Sequence, residues 1–204
     1  MKNVTGLLLI LSCSSFTLPT GTAELTRADR DFIVKYYTES RDNVLKTVKG
    51  LTPEQANFKP AEDKWSVNSC LEHIILSENL LWGMVDESLK KPADPSRHEE
   101  VKVTDENILT GIPDRTNKVK TFDALVPKGT YPTLASVTKA FRDVRNDHIN
   151  FLKKTPDDLR NHYVETQFMG TIESYQMLLF IAAHSKRHLK QIEEIIANPN
   201  FPKK

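Results

Sequence analysis

At 204 residues the chain is long enough for one domain with a real core, and 28 Lys+Arg against 27 Asp+Glu leave a formal net charge of +1. So even a balance argues against a nucleic-acid binder or a protein held to anionic membrane by charge. Gly is scarce at 7 and all of the 11 Pro but Pro156 gather at the two ends and between residues 53 and 132, so long stretches are free for helix and the composition is α-rich.

The amino terminus reads as an export leader. Lys2 precedes an apolar run, Gly6 to Leu11, too short to span a membrane, and Gly21 and Ala23 suit a signal-peptidase site. A rival route takes Ile10-Leu11-Ser12-Cys13 as a lipoprotein box, with Cys13 as a lipid anchor. On either route residues 1–23 are leader and 24–204 are the mature domain, exported to the periplasm or the exterior, or tethered to a membrane. A disordered apolar leader is the plain alternative. With the leader removed, Cys70 is a single thiol and no disulfide framework is available.

Four long helical patterns follow. The first runs from about Thr26 to Val48, capped by Thr26 with Asp29 as partner, and carries Phe32, Ile33, Tyr36, Tyr37, Val44, Leu45 and Val48 at helical spacing before Gly50 ends it. Residues 51–64 read as loop with one helical turn from Pro53. The second helix runs from an N-cap at Ser66 to about Lys90, stopped by Pro92, with Cys70, His73, Leu76, Leu80 and Met84 as its expected inward stripe. Trp65 reads as a core plug at its entry. A crossover of about 40 residues, Pro92 to Pro132, is rich in Pro and charge, and a short helix is expected within 104–120, broken at Ile112-Pro113. The third helix spans about Thr133 to Lys154 and the fourth about Thr171 to Ala197, the latter with Met177, Phe180, Ile181, His184, His188, Ile192 and Ile195 on one side. Four helices and one long crossover predict an all-α four-helix bundle.

His184 and His188 are four apart, so at about 100° per residue their imidazoles share one helix face, one turn apart. That face is the core side, because Lys186, Lys190 and Glu193 occupy the other. His73 occupies a corresponding place on the second helix. Imidazoles facing a core demand hydrogen bonds or a metal, and two ligands from one helix with a third from another is how a bundle builds a metal site with an open coordination position. The plain alternative is three ordinary core histidines. His98, His148 and His162 read as surface residues and Glu193-Glu194 as a solvated face. Cys70, one turn from His73, reads as a small buried hydrophobe rather than a fourth ligand or nucleophile. Glu72 points away from the His73 side, and Ser77 and Gln191 are poor bases, so no general base stands one turn from the ligands. There is no Ser-His-Asp order, Gly-rich phosphate loop or paired-Cys motif.

The segment Lys64-Trp65-Ser66-Val67-Asn68-Ser69-Cys70-Leu71-Glu72-His73-Ile74 resembles the second-helix motif of the DinB-like superfamily, and Ala183-His184-Ser185-Lys186-Arg187-His188-Leu189-Lys190-Gln191-Ile192 resembles its last-helix motif. Ile112-Pro113-Asp114-Arg115, Pro127-Lys128-Gly129 and a helix with Phe141 and Arg145 are similar to its linker and third helix, so the likeness spans about residues 26–197. The resemblance implies an antiparallel-looking bundle with a divalent metal, zinc or nickel, on His73, His184 and His188. It also implies a metal-dependent hydrolase, or a transferase using a low-molecular-weight thiol, acting on a small molecule, and often a homodimer. The alternative is a bundle that binds metal for storage, sensing or stability and turns nothing over.

Overall fold

The computed structural model describes residues 25–116 and 120–203. The leader, Cys13 and the cleavage site lie outside the described residues. The first three long helices begin where their capping chemistry predicts. Helix α1 (Arg27–Val48) opens on a reciprocal box in which Thr26 Oγ1 accepts from Asp29 N–H and the Asp29 carboxylate accepts from Thr26 N–H, both at 3.1 Å. The short α2 (Pro53–Asn57) is the turn expected at Pro53. Helix α3 (Val67–Leu89) is capped by Ser66, α4 (Asp105–Gly111) by Thr104 and α5 (Leu134–Lys154) by Thr133. Gly50 ends the first connection's turn at φ +76°, a left-handed conformation that suits glycine.

The fourth long helix begins later than its periodicity suggests. Residues Tyr163–Thr166 (β1) and Gly170–Glu173 (β2) pair antiparallel as a small hairpin, and α6 (Ser174–Ile196) starts only after it. The expected start near Thr171 is thus corrected to Ser174. Thr171 and Ile172 are committed to the ladder, and Gly170 at φ +67° makes the return.

Helices α1, α3, α5 and α6 form the bundle, with α1 and α3 each packed between α5 and α6. Tyr175 at the start of α6 donates to the carbonyl of Asp29 at the start of α1, so these two neighbours run parallel. Arg30 reaches the carbonyl of Leu152 at the end of α5, and Ser88 at the end of α3 meets Ser174 at 2.7 Å. These contacts make α1/α5 and α3/α6 antiparallel, and α3/α5 parallel. The antiparallel look of the bundle thus holds for two of its helix pairs, α1/α5 and α3/α6. Two consecutive helices that point the same way need a connection running the length of the bundle, which is the physical reason for the crossover.

The core falls into two apolar clusters, one around Tyr37, Ile149, Leu152, Tyr175 and Leu178, the other around Val48, Cys70, Leu71, Ile74, Phe141 and Ile192. At their boundary every helix contributes a polar residue. The wholly buried Arg145 of α5 pairs with Glu78 of α3 (Nε–Oε1 2.6 Å) and donates to Ser40 of α1 (3.1 Å) and Ser185 of α6 (2.5 Å). Its guanidinium lies 4.6 Å from the Tyr37 ring centroid. His148 joins through Nδ1, 3.1 Å from Glu78 Oε1, and stacks on Trp82 at 3.6 Å. The surface reading of His148 is therefore corrected. So is that of His162, whose ring nitrogens bond the carbonyls of Asp158 and Lys91. His98 is exposed, as expected. Leu80, expected inward, is 51% exposed, and Leu76 and Met84 are only half-buried. The buried face of α3 is instead the Val67, Cys70, Leu71, Ile74, Ile75, Glu78 and Val85 stripe.

At the end of the bundle where α1 and α6 begin, Arg160 pairs with Asp29, Asp105 and Glu173 at 2.6–2.9 Å and sits over the Tyr175 ring, 3.9 Å from its centroid, tying the first turns of α1 and α4 to the start of α6. Among the described residues no helix is long and apolar enough to cross a membrane.

Candidate metal centre

His73 sits in the second turn of α3, and His184 and His188 lie midway along α6, antiparallel to it. The structure brings together the three residues that the spacing singled out. Ring centroids are 4.5–5.2 Å apart, and one ligand atom from each falls within 4.8 Å of the others. The Nε2 atoms of His184 and His188 are 3.1 Å apart. Tetrahedral metal–nitrogen bonds of about 2.0–2.1 Å hold ligand atoms roughly 3.3 Å apart, so the set needs little closure to fit an ion.

Hydrogen bonds decide which nitrogen faces inward. His73 Nδ1 lies 2.8 Å from the carbonyl oxygen of Leu125, which only accepts, so Nδ1 carries the proton and Nε2 keeps its lone pair. Ser77 Oγ then donates to that Nε2 at 3.3 Å. His188 Nδ1 is 2.9 Å from Gln191 Oε1, which also receives Arg115 Nη1 at 3.2 Å.

All three rings are held neutral. For His73 the cause is burial, partly offset by the Leu125 carbonyl. Burial also depresses His188 well below the usual imidazole range, reinforced by its two neighbours. His184 as a residue is only half-buried, but Phe180 and the other two imidazoles pack against its ring. Desolvation, then the proximity of His73, Arg187 and Arg145, lowers it to about 3. Neutral imidazole is the form that ligates metal.

The surroundings are aromatic. The Trp65 ring lies 4.7 Å from that of His73 and 6.1 Å from that of His188, so the expected core plug is a half-buried wall of the site. Cys70 is fully buried and its thiol is pushed up to about 12, which bears out its reading as a small hydrophobe.

Several residues that matter here escaped sequence reasoning. Glu72 is buried, and its carboxylate accepts the backbone N–H groups of Lys128, Gly129 and Thr130 at 3.0–3.1 Å. Burial opposes its ionisation, and those three donors outweigh burial and lower its pKa. The crossover is thereby clamped to α3 close to the Leu125 carbonyl. Glu194, read as solvated, makes a bidentate pair with Arg115 at 2.8 Å in both arms. Gln191, one turn beyond His188, was open to discovery by its i+3 spacing. Arg115 and Leu125 were not, because nothing local relates them to the histidines.

Three imidazoles projecting from two antiparallel helices of a crossover-bridged bundle define a class, the helical bundle with an internal three-histidine group that could hold a metal ion. The sequence comparison is specific about which. The model of the DinB superfamily matches residues 36–192, and the chain belongs to that superfamily. It is 24% identical over 159 residues to the uncharacterized protein YuaE of Bacillus subtilis (strain 168), covering 78% of this chain and 94% of YuaE. Among solved structures it is similar in fold to YfiT from Bacillus subtilis, with a TM-score of 0.54 at 12% identity, over 88% of this chain and 93% of YfiT. YfiT is described as a probable metal-dependent hydrolase with an unusual four-helix bundle topology.

Proposed function

We propose that His73, His184 and His188 hold a divalent ion, zinc or nickel, and that the protein is a hydrolase or thiol-dependent transferase acting on a small molecule. The observation that carries this reading is the convergence of three neutral imidazoles, two of them with Nδ1 occupied by an acceptor and Nε2 turned inward. Superfamily membership and the description of YfiT support it. An ion on three protein ligands supplies Lewis-acid activation at an open coordination position. The chain's own contribution is to keep the imidazoles unprotonated and aimed, and to offer Trp65 and Phe180 as apolar surface for the body of a substrate. The proposal includes export, with a mature chain from residue 24 or a lipid-anchored one from Cys13, and a homodimer.

One observation favours the non-catalytic alternative. The buried carboxylates of α3 are engaged, Glu72 by three peptide N–H groups and Glu78 by Arg145 and His148, so neither stands ready as a base. The test is a screen of the zinc- and nickel-loaded protein against thiol, ester and amide substrates, with His188→Ala beside it. Turnover abolished by the variant supports the enzyme. Turnover that persists in it belongs to a contaminant, and no turnover with strong metal-dependent thermal stabilisation supports the binding role.

A further inference from the structure

We propose that Arg115 and Gln191 are positioning residues that set the tautomer and aim of His188, and through it the metal affinity of the three-histidine site. This rests on the reading of that site as a metal centre. His188, Gln191 and Glu194 recur at three-residue spacing along one stripe of α6. The half-buried Arg115, from the crossover just beyond α4, lies across that stripe. Its guanidinium makes a two-pronged pair with Glu194 and sends Nη1 to Gln191 Oε1 at 3.2 Å.

A guanidinium has donors and no acceptor, so the Gln191 amide must turn its oxygen toward Arg115. The same oxygen lies 2.9 Å from His188 Nδ1, which must then carry the proton. Nε2 is left with its lone pair, facing His184 Nε2 at 3.1 Å. With Arg115 gone, the amide is free to flip and present its NH2 group to Nδ1. The imidazole proton then moves to Nε2, the nitrogen that must be bare to ligate. Arg115 is itself steadied by Arg187, which donates to the backbone carbonyls of Ile112 and Asp114 on the same stretch of crossover. A residue more than 70 positions from His188 thereby decides which of its nitrogens is available.

The experiment measures Zn2+ affinity of the full chain by competition with a chromophoric chelator, and the visible absorption of the Co2+-loaded form. Arg115→Ala and Gln191→Leu are expected to weaken Zn2+ binding roughly 10–100-fold and to shift the Co2+ bands. Gln191→Glu keeps an acceptor at that position and is expected to stay within threefold of wild type with unchanged bands. Should Gln191→Leu fail to fold, Arg115→Ala decides. Affinity within threefold of wild type in Arg115→Ala overturns the assignment, even if its metal-free form melts lower, since that is what a merely structural role does. Wild-type protein that binds no Zn2+ overturns the metal reading and this assignment together, whereas wild-type binding with unchanged variants overturns this assignment alone.

Discussion

At the scale of single residues the site is governed by desolvation. The three imidazoles are depressed below the ordinary value near 6.5, His184 to about 3. The sign of the resulting pH dependence follows. Between about 3 and 6.5 the unfolded chain binds a proton on His184 and the folded chain does not, and the lowered His73 and His188 act in the same direction, so stability rises with pH there. The metal-free protein is expected to keep its melting temperature above about pH 6.5 and to lose it progressively as the pH falls toward about 3. His184→Phe, which carries no titratable ring, should flatten that fall. A slope identical to wild type would show that the histidines do not cause it. Arg145 governs a second residue-scale claim. It is wholly buried and bonded to all three other bundle helices, so Arg145→Met leaves Glu78 buried without its counter-charge. Loss of about 3–5 kcal/mol in urea unfolding is expected, as for other broken buried pairs. Glu78→Gln together with Arg145→Met should recover part of it, and a double variant no better than the single would argue against the pair.

At the scale of elements, legibility followed locality. Thr26, Ser66 and Thr133 each announced a helix start, because an N-cap and its partner three residues on are chemistry contained in one turn. The His184–His188 pair was legible for the same reason. The hairpin before α6 was hidden, since Thr171 and Ile172 suit a helix pattern until Val164 and Glu165 are known to pair with them. The faces of α3 and α5 were misjudged at Leu80 and His148 because a buried Glu78–Arg145 pair makes a charged side into an interior one, and sequence periodicity counts charge as solvent-facing. The crossover's contribution is a long-range fact, with Leu125 52 residues from His73, the helix partner it serves. Its anchoring by Glu72 gives an element-scale prediction. Glu72→Ala removes the acceptor for three peptide N–H groups, so amide exchange at residues 128–130 should quicken strongly while α1 exchange stays unchanged. Unaltered protection at 128–130 would mean that the carboxylate is not the clamp.

At the scale of the whole molecule, the parallel pairing of α3 with α5 makes the crossover obligatory, and the crossover in turn supplies a partner to His73 directly and to His188 through Gln191. Export and self-association belong to this scale too. Intact mass of the native protein is expected to match a chain beginning at residue 24, or at a lipidated Cys13, and the full 204-residue mass would refute both. Light scattering is expected to give a dimer, for which the exposed Phe32 of α1 offers apolar surface; a monomer at high micromolar concentration would count against it. The central claim is that His73, His184 and His188 form one metal centre, and elemental analysis of protein purified without a histidine tag tests it most directly. About one zinc or nickel ion per chain is expected, lost in both His73→Ala and His184→Ala while the helical content persists. Metal content unchanged in those variants would contradict it.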